Sequence, residues 1–445
     1  MSTSMRTLAC AIAAAASFIA PVHAQEKTEI TLARFFGSCE ADFGKSTDVK
    51  SARGECGVIT TLVNKFNETN KEGIVVKPQI VEWGPYYDQL TARLVARDVP
   101  TIAVMHQSSL GDYVSRKLVE PLDDGFKSVG INTADFTDHA KNGTIYAGKA
   151  YALPFDTWSW LWHINVNLLK KAGLTNDDGS PIIPHSPDEL LAQARKFKQA
   201  TGKPYFAWPT SGTVPTNTWT FLSMMVQQKT PLFTEGAKPH INLHTPEAKQ
   251  VLDLMSKLYA EGLVMPGLDS GAVNQAWFKG DVAVALTGTW RIDDLLAQSE
   301  KPDSPAHKGY TVIPFPQLFS QRAAYADGHA WVMLKGGAKD EKTRKAALSF
   351  MKFLWDNDFE WARTGHLPAN RTVIESAAFK ALPMRSNIAV ISSIGVTLPH
   401  NVPRQHAVQI SLSEELITMQ LSKKPVEQVQ DSAETRINKL LDSVR

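Results

Sequence analysis

Thr101-Ile-Ala-Val-Met105 is apolar without interruption by charge, as in a short strand covered on both faces. Reading toward the N-terminus, Pro85 opens a helix that sets Tyr86, Leu90 and Leu94 on one face. Ile74 to Trp83 reads as a strand with a Pro78 interruption, Val58 to Asn67 as a helix, and Glu29 to Phe36 as a strand. Toward the C-terminus, Leu110 to Leu118 forms the next helix. This alternation predicts an α/β chain with a parallel, doubly wound sheet. Ligands of such sheets bind beyond the carboxyl ends of the strands. Here those ends carry Phe35-Phe36-Gly37, Glu82-Trp83-Gly84 and His106-Gln107-Ser108.

A second α/β region follows. Trp158 to Asn165 is predicted to be extended, and Ser186-Pro-Asp-Glu189 caps a helix running through Gln199. Trp219 to Gln228 is helical, and Thr245-Pro-Glu247 starts a helix to Glu261. A short helix, Asn274 to Phe278, leads through Lys279-Gly280-Asp281 to a strand, Val282 to Leu286, and then to Gly288-Thr289-Trp290. Asp327 to Leu334 reads as a strand, and the chain from Asp340 onward as mainly helical.

The N-terminus fixes the compartment. Arg6, the apolar run Leu8 to Ala20 and Val22-His23-Ala24 form a secretory leader cut after Ala24. Its apolar run is too short for a permanent anchor, and no later run is long enough to span a bilayer. Cys10 starts the apolar run rather than following it, which excludes lipidation. An exported protein with no membrane anchor points to the periplasm. Removing Arg6 takes the formal net charge from +2 to +1 (2 − 1), too balanced for a partner that is a nucleic acid. Of the 3 cysteines, Cys39 and Cys56 remain, an expected disulfide in an oxidising compartment. Two Cys with no His nearby make a poor zinc site, so no metal and no cofactor are expected.

The candidate site draws on the 11 Trp. Trp158, Trp160 and Trp162 share one face of a strand; core packing suits Trp160 and Trp162, and a ligand role suits Trp158, beside Asp156 and the Pro154-Phe155 turn. Trp290 follows Gly288 just past a strand, and Trp83 precedes Gly84-Pro85 in the same way. Asp327-Gly328-His329 is either a ligand loop or a turn cap. His366 and Arg371 lie in a polar loop and are either ligand groups or surface groups. No nucleophile elbow, zincin or phosphate-loop sequence is present. Glu82, Asp156 and Asp327 could supply the carboxylate pair of a glycosidase, although acids beside Trp are equally expected where a sugar is merely held.

Four stretches resemble the solute-binding proteins of ABC importers, in particular the carbohydrate-binding family typified by maltose- and trehalose-binding proteins. They are Pro100 to His106 with Leu118 to Leu122, Tyr151 to Asp156, Trp277 to Trp290, and the Gly-His strand after Asp327 with the helix Glu341 to Trp355. The resemblance implies two α/β lobes, joined by a hinge, with a ligand cleft between them. One lobe would be 25–156 plus 326–356, the other 157–325 plus 357–445. Crossings are implied near Asp156, Ala324 to Asp327, and Trp355 to Asp358. Sugar contacts would fall on His106, Gln107, Asp156, Trp290 and Asp327-Gly328-His329, to which the residues above add Phe36, Trp83, Trp158 and Arg371. The implied protein is a monomeric carrier, not an enzyme, with a small ligand and a membrane permease as partners. Gln107 stands where the maltose-binding protein has an acid, which points away from maltose. An anionic or cationic ligand (glycerophosphodiester, sulfonated sugar, polyamine) is the rival; an anion would want Arg34, Arg363 or Arg371 in the cleft.

Overall fold

The computed structural model describes residues 27–212 and 214–443; the expected leader, Cys10 and the cut after Ala24 lie outside them. Thr28–Arg34 pairs in parallel with Ile74–Ile80 on one side and Ile102–His106 on the other, the expected doubly wound core. The second strand stops at Ile80 because Trp83 already opens the helix Trp83–Ala96. The helix after the third strand starts at Gln107, earlier than expected, directly on the strand end. His329–Met333 returns antiparallel to Ile102–His106 and also pairs with Leu153–Pro154, closing the sheet.

A second sheet is built around Asp156–Asn165, fully buried along its length. Its antiparallel neighbours are Val284–Gly288, Tyr310–Pro314, Ala324–Asp327 and Leu367–Pro368. Trp160 and Trp162, 1% and 0% exposed, serve its core as the strand periodicity suggested. The cap on Pro187–Thr201 forms reciprocally: Ser186 Oγ accepts from the Glu189 amide at 3.1 Å, and Glu189 Oε2 accepts from the His185 amide at 2.7 Å. Each sheet has its own hydrophobic core, so the molecule has two lobes. Among the described residues no helix is long and apolar enough to cross a membrane.

The chain passes between the sheets at 154–156, at 327–329, and along the helices Glu341–Asp356 and Asp358–Ala362 into Leu367–Pro368. Asp358 sits buried on the third passage. Its Oδ2 accepts from the Asn370 amide at 3.0 Å, while Oδ1 has no partner. Burial, with the Asp156 charge adding to it, pushes its carboxyl well above the usual range. A raised carboxyl stabilises the fold fully only below its unfolded value, about 3.9, and loses that contribution as pH climbs through the folded value. Asp358→Asn is therefore expected to be more stable than the parent at pH 8, with the gap closing toward pH 4; urea midpoints at the two pH values measure it.

Cys39 and Cys56 are disulfide-bonded, with Cα atoms 5.8 Å apart. Arg363, on the third passage, fastens the ring they close. Its Nη1 donates to Val49 O at 2.8 Å, and its Nη2 donates to Lys50 O at 2.8 Å and to Ala52 O at 3.3 Å.

Candidate functional site

The carboxyl ends of the first sheet meet the second lobe around a cavity of about 220 Å³. From the first lobe come Phe35 and Phe36 after the first strand, Trp83 at a helix start, His106 at the end of the third strand, and Glu55 beside the disulfide. The second lobe supplies Trp158, Trp219 and Trp290, with Val214, Thr216 and Ser270, and the middle passage supplies His329. The rings interlock: Trp158 lies 4.6 Å from Trp219 and 5.6 Å from Trp290. Trp83 stacks on Trp219 across the two lobes at 5.8 Å, so the lobes are drawn together. Trp290 can fold back because Gly288 has no side chain; a Cβ there would fall 2.1 Å from the Trp290 ring. Gly288→Ala is expected to displace that ring. Near-ultraviolet circular dichroism should change while the far-ultraviolet spectrum stays; an unchanged aromatic signal refutes the packing argument.

Polar groups punctuate the rings. The Tyr87 hydroxyl accepts from the His106 amide at 2.8 Å and lies 2.8 Å from His106 Nδ1. Burial, then the neighbouring His329 and His406, hold His106 well below the usual imidazole range. The ring is thus neutral, one nitrogen a donor and the other an acceptor. The indole N–H groups of Trp83 and Trp158 are buried with no acceptor. Each costs about 1–3 kcal/mol while it stays unpaired, and neither nitrogen is open to the cavity.

Asp156 organises the floor. Its Oδ1 accepts from the His329 amide at 2.9 Å; its Oδ2 accepts from Trp361 Nε1 at 2.7 Å and faces His329 Nδ1 at 2.8 Å. Burial alone would raise this carboxyl, but His329 and His366 outweigh burial and hold it well below the usual carboxylate range. Burial likewise depresses His329, and Asp156 more than reverses it, so the imidazole is pushed up. One carboxylate therefore joins all three passages: its own, the one carrying His329, and the one carrying Trp361.

Of the expected contacts, Phe36, Trp83, His106, Trp158, Trp290 and His329 line the cavity, whereas Gln107, Asp156, Asp327, Gly328 and Arg371 do not. Gln107 is buried and its Nε2 donates to Asp156 O at 3.3 Å. Asp327 is the cap of the helix Gln107–Ser115, its Oδ1 accepting from the Ser108 amide at 3.1 Å. Gly328 is set by packing, since a Cβ there would lie 2.2 Å from Asp156 O. Arg371 donates to Phe136 O at 3.1 Å and to Asp138 Oδ1 at 2.9 Å. Arg34 turns inward to Gly37 O at 2.6 Å, and Arg363 fastens the disulfide ring, so neither offers its charge to the cavity. Glu55 is the lone carboxylate among the described lining residues, which leaves a glycosidase without its pair.

Residues 58–358 match the profile of a single family, the bacterial extracellular solute-binding proteins. The chain belongs to that family. Such a solute-binding protein takes up a small molecule and passes it to the permease of an ABC importer. A provisionally named binding protein of Brucella abortus (strain 2308) is 26% identical over 320 residues, covering 69% of this chain and 72% of its own length. The sn-glycerol-3-phosphate-binding periplasmic protein UgpB of Escherichia coli O6:K15:H31 (strain 536 / UPEC) is 20% identical over 433 residues, 93% of each chain. In fold, this solute-binding protein is similar to the GacH receptor of Streptomyces glaucescens GLA.O, crystallised unliganded and with acarbose. The TM-score is 0.75 at 18% identity, over 94% of this chain and 99% of that one. The relatives are binding proteins rather than enzymes, in keeping with the single carboxylate at the cavity.

Proposed function

We propose that this protein is the monomeric periplasmic receptor of an ABC importer for a small uncharged carbohydrate or polyol. Its two lobes, 25–156 with 326–356 and 157–325 with 357–445, would open about the passages at Asp156, Gly328 and Asp358. One observation carries the choice of ligand: four Trp rings from both lobes enclose about 220 Å³ with one carboxylate, and no Lys or Arg among the described lining residues. Rings cover the apolar faces of a sugar, and a carboxylate accepts two hydroxyls at about 1.5–3 kcal/mol per bond. A phosphomonoester would meet Glu55 without a compensating guanidinium, which argues against glycerol phosphate despite the Escherichia coli relative. The proposed contacts are Phe36, Trp83, His106, Trp158, Trp290 and His329, with Glu55 and Trp219. The solute would dock in an open state and shift the population only through the extra contacts that closure adds.

A thermal-unfolding screen of monosaccharides, disaccharides, polyols, sulfonated sugars and sn-glycerol-3-phosphate tests this. A true ligand at about 100 times its dissociation constant should stabilise by about 2.7 kcal/mol. Stabilisation by the phosphate or sulfonate alone would overturn the uncharged-ligand reading. Release of reducing sugar from a glycan would overturn the carrier reading itself.

A further inference from the structure

We propose that Glu55, His329 and His366 form a site for one divalent transition-metal ion in the wall of the cavity. Each offers one ligand atom, and these atoms lie within 4.8 Å of one another. Both imidazoles are buried, and the carboxylate is half-buried. Two imidazoles and a carboxylate suit zinc, and nickel or copper with adjustment of geometry. Three protein ligands with a remaining open position is the pattern of zinc sites that also bind a small molecule.

The surroundings are those of a metal site rather than of a chance contact. Asp156 Oδ2 holds His329 Nδ1 at 2.8 Å, which leaves Nε2 of that ring for the ion; His366 Nδ1 is 3.3 Å from Thr289 Oγ1, and its Nε2 is the atom that meets Glu55. A carboxylate behind a ligating imidazole fixes its tautomer and raises its basicity. Trp361 donates to the same carboxylate at 2.7 Å and stacks on His366 at 5.4 Å with the planes 3° apart, so neither Asp156 nor His366 is free to rotate. The third donor is equally well held: Glu55 adjoins Cys56 of the disulfide. A plain hydrogen bond accounts for His366 Nε2 at 2.8 Å from Glu55 Oε1. His329, held by Asp156 on a different passage, brings its ligand atom within 4.8 Å of that pair. Ligand atoms about 2.0–2.2 Å from an ion sit roughly 3–3.5 Å apart, so the half-buried Glu55 carboxylate is the member that would adjust to complete the sphere. Glu55 and His329 both line the cavity, so the open position faces the solute space, and in the loaded protein a solute hydroxyl or water oxygen would meet the ion in place of the direct contacts to these two side chains.

Mature protein stripped with a chelator and titrated with Zn²⁺ by calorimetry provides the test, with Co²⁺ absorption as the spectroscopic probe. One equivalent should bind, and Co²⁺ should give the intense visible bands of four- or five-coordination. Glu55→Gln and His366→Ala should each weaken binding at least tenfold, with thermal melts reporting whether each variant folds. Should His366→Ala fail to fold, Glu55→Gln, at a partly exposed side chain, decides alone. His244, which pairs at the surface with Asp431 at 3.0 Å, is the control for adventitious binding; His244→Ala should leave the titration unchanged. No stoichiometric binding, binding unaffected by both site variants, or binding lost with His244→Ala would each overturn the assignment. None of these readouts depends on which solute the receptor carries.

Discussion

Asp156→Ala is expected to cost about 3–5 kcal/mol of folding free energy, because it breaks a buried ion pair, leaving the buried His329 imidazole without its counter-charge and a buried indole N–H without its acceptor. The carboxylate is 0% exposed, and its partners come from two other chain passages. Asp156→Asn keeps one oxygen, for either the His329 amide or Trp361 but not both, so it should lose only somewhat less. The sign with pH follows from the depressed carboxyl. Its contribution is complete above the unfolded value of about 3.9 and disappears only as pH falls through the much lower folded value. The difference between parent and Asp156→Ala should therefore persist at pH 4.5. Urea unfolding at pH 7 and 4.5 measures it, and a difference below about 1 kcal/mol at pH 7 would mean that the passages do not depend on this carboxylate.

Trp290→Ala is expected to weaken solute binding by about 30-fold or more, the loss of about 2 kcal/mol typical of a buried aromatic anchor. The ring is half-buried and touches Trp158, Trp219 and Trp160 at 5.6, 6.1 and 6.3 Å, so the lobe core survives its removal. Calorimetry with the ligand found by thermal screening gives the affinity. If that affinity matches the parent's in a variant that melts normally, Trp290 is only packing.

The parallel core was readable because Thr101 to Met105 has no alternation and Pro85 starts a helix; both signals are local. Four of the expected residues that line the cavity, Phe36, His106, Trp290 and His329, sit at or just past a strand end or just after a Gly, while Trp83 opens a helix and Trp158 lies near the start of the central strand. The five that do not line it show where local reading stops. Asp327 carries the same signal whether it meets a ligand or caps a helix, and the Ser108 amide that claims it lies far away in sequence. Arg371 looks like a cleft cation until Asp138 is found beside it. Trp219 was missed because it falls within a wholly buried helix, where a ring is usually packing. Glu55, His329 and His366 share no sequence spacing, and only the joining of two passages and a disulfide ring brings them together.

The Cys39–Cys56 bond carries a consequence for biogenesis. It closes the ring that ends at Glu55, and Arg363 grips the backbone of that ring at three carbonyls. A newly made chain still in a reducing environment would have one side of its binding chamber untethered. Oxidation after export would finish that side, so the receptor would gain its full grip on cargo only where the permease awaits it.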